Sequence, residues 1–95
     1  MARIYGASDD LLEIEDSDFE EDEISCYNQD VRLRFEDGMV ARFHYPKAEN
    51  FGVWGCEIES AGSAGYSLSE CFDENADPYS DILETDADLE EIEFI

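Results

Sequence analysis

The clearest alternation of apolar and polar residues in the chain covers residues 31–45. Two runs with a period of two residues flank Glu36-Asp37-Gly38, which predicts a β-hairpin. A two-residue loop would mix apolar and charged side chains on one face, whereas a three-residue loop with Gly38 at positive φ separates them. The longer loop pairs position 35 with 39, 33 with 41 and 31 with 43. One face then holds only apolar side chains: Val31, Leu33, Phe35, Met39, Ala41 and Phe43.

The opposite face of this hairpin carries most of the positive charge. It holds three of the five cationic side chains and the only histidine, namely Arg32, Arg34, Arg42 and His44. Residues 31–47 contain four bases and two acids, a net charge of +2, so the other residues contain one base and 25 acids. We interpret the three arginines as internal counter-charge for the acidic flanks.

Shorter alternating runs predict strands on both sides of the hairpin. They cover residues 3–5, 12–15, 23–27, 53–59, 79–84 and 89–94, with a break at Gly6 and an ambiguous segment at 66–72. We expect residues 1–95 to form a single domain that is mainly β. The expected architecture is one small antiparallel sheet or barrel-like meander of about six or seven strands, with at most one short helix.

The composition supports a packed core but also predicts strong self-repulsion. Hydrophobic residues make up 43% of the chain and aromatic residues 13%, which argues against disorder. The 27 acids and five bases leave a net charge of −22. Because like charges repel in a compact state, we expect the fold to gain stability from salt or from a cationic partner.

This charge also limits the partners. It excludes direct binding to nucleic-acid phosphates as a main role, disfavours anionic membranes and favours basic partners or divalent cations. No run approaches the roughly 18 apolar residues of a membrane helix, and residues 1–10 lack the apolar segment of a signal peptide. We therefore expect a cytoplasmic protein, in the host cytoplasm if a phage encodes it.

The residues that could carry chemistry form no recognisable site. Cys26, Cys56 and Cys71 are odd in number and widely spaced, which predicts reduced, buried thiols rather than disulfides or a zinc site. His44 is predicted to balance nearby acids. An EF-hand-like spacing of acids from Asp73 to Glu84 is interrupted by Pro78 at the position that needs a sharp turn. We expect no catalytic residues, metal or cofactor, and no enzymatic activity.

Three segments carry a resemblance. The opening Ile4-Tyr5-Gly6-Ala7-Ser8-Asp9-Asp10-Leu11, followed by Glu13-Ile14-Glu15, resembles that of small uncharacterised acidic bacterial and prophage proteins. The turn Phe35-Glu36-Asp37-Gly38 and the later Asp77-Pro78-Tyr79-Ser80-Asp81 are also similar to that group. The resemblance implies a mainly β domain and no activity. In size and charge alone, the chain also resembles phage-encoded DNA mimics such as anti-CRISPR and anti-restriction proteins.

Two acidic segments are the predicted binding surface. Residues 16–21 and 86–91 align at an offset of 70 residues, with acids matching acids. The leading hypothesis is a non-enzymatic inhibitor that binds a basic nuclease, CRISPR effector or similar protein as a DNA mimic. The alternatives are an immunity protein that neutralises a cationic toxin, and a scaffold module that uses the arginine face. The predicted partner-binding residues are Asp16, Asp18, Glu20, Glu21, Asp22, Asp86, Asp88, Glu90 and Glu91.

Overall fold

The computed structural model describes residues 1–8, 10–46, 51–52, 54–69 and 81–95. Within these ranges the chain forms nine β-strands. They are β1 (Ala2–Ser8), β2 (Leu11–Asp16), β3 (Glu20–Ser25), β4 (Val31–Phe35), β5 (Val40–Phe43), β6 (Cys56–Ser60), β7 (Tyr66–Leu68), β8 (Asp81–Thr85) and β9 (Leu89–Phe94). No helix in the described residues has the length and apolar character needed to cross a bilayer.

The strands form two open antiparallel sheets. We refer to the five-stranded sheet, in the order β3-β2-β1-β8-β7, as sheet A. Sheet B has four strands in the order β6-β5-β4-β9. The chain crosses between the sheets after β3, β6 and β8. The mainly β class is therefore confirmed.

The prediction of one sheet or a barrel-like meander of six or seven strands is wrong. The strands form two sheets because most of them carry apolar side chains on one face, and a single sheet would leave those faces in water. Buried side chains of both sheets form one hydrophobic core. Its largest fully buried members are Phe35, Phe43, Ile4, Leu12, Ile14, Leu33, Met39, Leu83, Leu89, Val31 and Cys26.

The central hairpin has the predicted register. Val31 pairs with Phe43 and Leu33 with Ala41, and the Phe35 amide donates to the Met39 carbonyl at 2.9 Å. Gly38 closes the turn with φ +92°. All six side chains of the predicted apolar face are buried, so this part of the sequence prediction is confirmed at residue level.

The predicted strand break at Gly6 is wrong, because β1 continues to Ser8. Gly6 is buried and lies against the indole ring of Trp54, so a Cβ at this position would overlap the ring. Trp54 is itself 3% exposed. Glycine within a strand often marks such a close approach. Here it lets a large aromatic side chain pack on β1.

Candidate interaction surface

The outer face of sheet B is neutralised by its own ion pairs. Its two central strands carry the cations and its two edge strands carry the acids. Arg32 contacts Glu59 at 2.6 Å and Glu93 at 3.6 Å, while Arg34 contacts Glu93 at 3.5 Å and Glu91 at 4.0 Å. The Arg32 hydrogen bond is the main reason that the pKa of Glu59 is lowered.

Asp30 pairs with the third arginine of this face and contacts its histidine. Its carboxylate accepts hydrogen bonds from Arg42 at 2.7 and 3.0 Å and from the Tyr45 amide at 2.9 Å, and it lies 3.2 Å from His44 Nδ1. His44 Nε2 lies 3.0 Å from Glu57. Desolvation raises the pKa of Asp30, but the contributions of the Tyr45 amide, Arg42 and His44 outweigh it. The pKa of Asp30 therefore lies below its ordinary value. The three arginines do pair with acids of the same molecule, but Glu91 is the only described partner that belongs to the two acidic segments, so the segments themselves receive little of this counter-charge.

The outer face of sheet A is not neutralised in this way. Glu13 of β2 lies directly opposite Glu23 of β3. Among the described residues of sheet A, the only cationic side chain is Arg3, and its described ion pairs are with Glu15 at 3.6 Å and Glu84 at 3.1 Å. Like charges directly opposite each other destabilise a sheet. The Tyr5 hydroxyl donates a hydrogen bond to Glu13 at 2.9 Å, but no cation among the described residues is paired with Glu13 or Glu23. We call this side of sheet A, with Glu13, Glu15 and Glu23, the acidic face.

Asp16 joins the ends of the two acidic segments. It is 5% exposed, and its carboxylate accepts hydrogen bonds from the Asp18 and Leu89 amides, both at 2.9 Å. The bond to Leu89 connects the β2–β3 turn in sheet A with the start of β9 in sheet B. Asp16 therefore acts as a structural cap. Its selection as a partner-binding residue assumed an exposed acid, and that assumption is wrong.

A carboxylate cluster lies at the same end of the molecule. Oxygen atoms of Asp18, Glu36 and Asp88, one from each of three turns, lie within 4.8 Å of one another. Carboxylate oxygens are the ligands that hard divalent cations prefer, but Asp18 and Glu36 are exposed, and exposed acids are common without an ion. The Met1 ammonium group bonds to Asp88, which raises the pKa of that ammonium group. The cluster thus brings together one acid from each predicted segment.

The other predicted binding residues are spread over several surfaces. Asp86 and Glu90 are exposed, and Glu91 is exposed but paired with Arg34. Asp22 is exposed at the edge strand β3, opposite Ile14 and therefore on the core-facing side of sheet A. The backbones of Glu20 and Glu21 belong to β3, and their side chains lie outside the description. The structure therefore does not bring the predicted set together as one surface.

The described cysteines have the properties of structural thiols. Cys26 and Cys56 are free and buried, as predicted, while Cys71 and the EF-hand-like residues 73–80 lie outside the described residues. Desolvation raises the pKa of Cys26 to about 11 and that of Cys56 to about 12. Both thiols therefore stay protonated at neutral pH and are poor nucleophiles. His44 lies between Asp30 and Glu57, and its ring stacks on Phe51 at 5.3 Å.

Sequence reasoning missed Glu13 and Glu23 as members of a common face. The signal was present, because Leu12 and Ile14 alternate with Glu13 and Glu15 and so predict an acidic outer face of β2. A hairpin in this arm was an open possibility, but its register could not be assigned, because Phe19 is the only apolar residue in 16–23 and no apolar alternation selects the three-residue turn that joins β2 to β3. No protein family, no characterised protein and no solved structure matches the chain.

Proposed function

We propose that this protein is a non-enzymatic inhibitor that binds a basic nucleic-acid-processing protein through its acidic face, as a DNA mimic would. The unneutralised pair Glu13–Glu23 is the observation that carries the proposal. Of the cationic side chains on the described strands, Arg32, Arg34 and Arg42 lie on sheet B and only Arg3 lies on sheet A. A partner that supplies lysines and arginines would relieve the repulsion that the fold leaves in place.

The spacing of the acids fits a groove that binds nucleic acid. Residues i and i+2 on one face of a strand, such as Glu13 and Glu15, are separated by about 6.6 Å. Duplex DNA carries one charge per about 1.7 Å of its axis, so 22 net charges correspond to roughly 11 base pairs. A sheet face that repeats carboxylates along its strands can contact the same basic side chains as a phosphate backbone.

The arginine face is a less suitable contact surface. Arg32, Arg34 and Arg42 already form ion pairs with acids of their own sheet. A partner that used these side chains would have to break those ion pairs, whereas a basic partner gains new ones at the acidic face. This difference favours the inhibitor over a scaffold module built on the arginines.

The test is affinity capture from a bacterial lysate with the immobilised chain at about 50 mM salt, where surface electrostatics are weakly screened. The bound fraction is then eluted with an excess of duplex DNA, in parallel with uncharged dextran as the control. We expect DNA, but not dextran, to release a basic nucleic-acid-processing protein. Release by salt alone, with no protein displaced by DNA, would contradict DNA mimicry and favour an immunity protein.

A further inference from the structure

The edge strand β7 differs in charge from the other strand edges. The remaining edge strands of the described sheets, β3, β6 and β9, each carry at least two acids. Residues 60–69, which include β7, contain no charged residue. Two copies of a chain with a charge of −22 repel wherever acids meet. Among the described edges, β7 is therefore the one that two copies can bring together without opposing carboxylates.

The backbone of β7 is oriented for such a contact. The Asp86 amide donates to the Gly65 carbonyl at 3.3 Å, and the Ser69 amide donates to the Ile82 carbonyl at 2.9 Å. Because successive residues of a strand direct their N–H and C=O groups to opposite sides, the backbone groups of Tyr66 and Leu68 point away from β8. They offer two donors and two acceptors at the sheet edge.

The side chains of β7 add an apolar component. Tyr66 is 42% exposed and Leu68 is 47% exposed. They pair with Thr85 and Leu83, both buried, and therefore lie on the core-facing side of sheet A. Suppose that β7 pairs antiparallel with β7 of a second copy, with the two-fold axis at Ser67. Tyr66 of each copy would then lie opposite Leu68 of the other copy. Such cross-strand apolar pairs stabilise a sheet.

We propose that the chain forms a weak two-fold dimer by antiparallel pairing of β7 with β7 of a second copy. The pairing supplies four backbone hydrogen bonds and joins two five-stranded sheets into one. Repulsion between the two negatively charged copies opposes association, and salt screens that repulsion over a Debye length of about 8 Å at physiological ionic strength. The dimer therefore strengthens as salt increases, whereas binding to a basic partner weakens.

Sedimentation equilibrium of the full chain, at salt from about 0.05 M to about 1 M, tests this dimer. We expect the dimer fraction to rise with salt. Leu68→Asp should raise the dimer dissociation constant by about tenfold or more, because each copy then opposes a carboxylate to the Tyr66 of the other. Ser25→Asp adds the same charge at the distant β3 edge and is the matched control. Circular dichroism verifies that both variants fold.

Two results would overturn the dimer. One is a wild-type chain that stays monomeric at every salt concentration, up to about millimolar protein, a range that detects even weak association. The other is a Leu68→Asp dimer as strong as the wild type. Neither result affects the proposed inhibitor function, which is measured at low salt and through a different face.

Discussion

At the scale of single residues, the acids of this chain divide into two classes. Asp16, Asp30 and Asp37 each accept two or more hydrogen bonds from backbone amides or cations, and they fix turns and loops. Glu13 and Glu23 lie opposite each other and form no ion pair among the described residues. Sequence alone does not separate these classes, because the difference depends on which amides the fold brings to each carboxylate.

Asp16 should be the acid whose loss costs the most stability. Asp16→Asn keeps one acceptor oxygen for the two amides that Asp16 now satisfies, so a buried N–H loses its partner. We expect the free energy of unfolding, measured with urea, to fall by about 1–3 kcal/mol.

The matched control is Asp18→Asn, which removes the same charge from an exposed neighbour and should change the free energy of unfolding by less than about 0.5 kcal/mol. Equal unfolding midpoints for Asp16→Asn and the wild type would show that Asp16 is not a structural cap.

At the scale of elements, Asp37 connects the central hairpin with the loop that leads to β7. Its carboxylate accepts hydrogen bonds from the Ala64 amide at 2.7 Å, the Ser63 amide at 2.9 Å and the Met39 amide at 3.0 Å. The Ala64 amide makes the largest contribution to the lowered pKa of Asp37, followed by the Met39 amide. One side chain thus closes the β4–β5 turn and positions the segment before the proposed dimer edge.

The contribution of Asp37 to stability should depend on pH. Because its pKa is lowered in the folded state, the contribution is present above the ordinary aspartate pKa of about 3.9 and is lost as the pH falls through the lower folded-state pKa. We expect Asp37→Asn to be less stable than the wild type at about pH 7. The difference should narrow below about pH 4 in urea unfolding.

Asp86→Asn is the control for this pH series, since it removes one exposed carboxylate and leaves the hydrogen bonds of Asp37 in place. A stability gap between Asp37→Asn and the wild type that stays constant across the series would contradict the role of the ionised carboxylate.

The sequence allowed the central hairpin to be predicted in detail because its loop length has one solution that separates Val31, Leu33 and Phe35 from the arginines. It also indicated most of the other strands. The two-sheet arrangement could not be predicted, because alternation shows that a strand has an apolar face but not which sheet covers it. Gly6 was misinterpreted for a related reason: its role depends on Trp54, which is distant in sequence.

At the scale of the whole molecule, charge is distributed unevenly between the two sheets. Sheet B balances Arg32, Arg34 and Arg42 with acids on its own strands and with Asp30. The acidic face of sheet A has a single described cation and a directly opposed acid pair. This asymmetry explains why we expect salt to stabilise the fold. It also provides the physical argument for a basic partner.

The most direct test compares the affinity of the DNA-displaceable partner for three proteins at low salt. They are the wild type, Glu13→Gln with Glu23→Gln, and the charge-matched control Glu57→Gln with Glu93→Gln. We expect the first double variant to bind about tenfold or more weakly while remaining at least as stable as the wild type, because it loses a repulsive pair. The control should lose less affinity. If Glu13→Gln with Glu23→Gln binds as tightly as the wild type, the acidic face is not the binding surface.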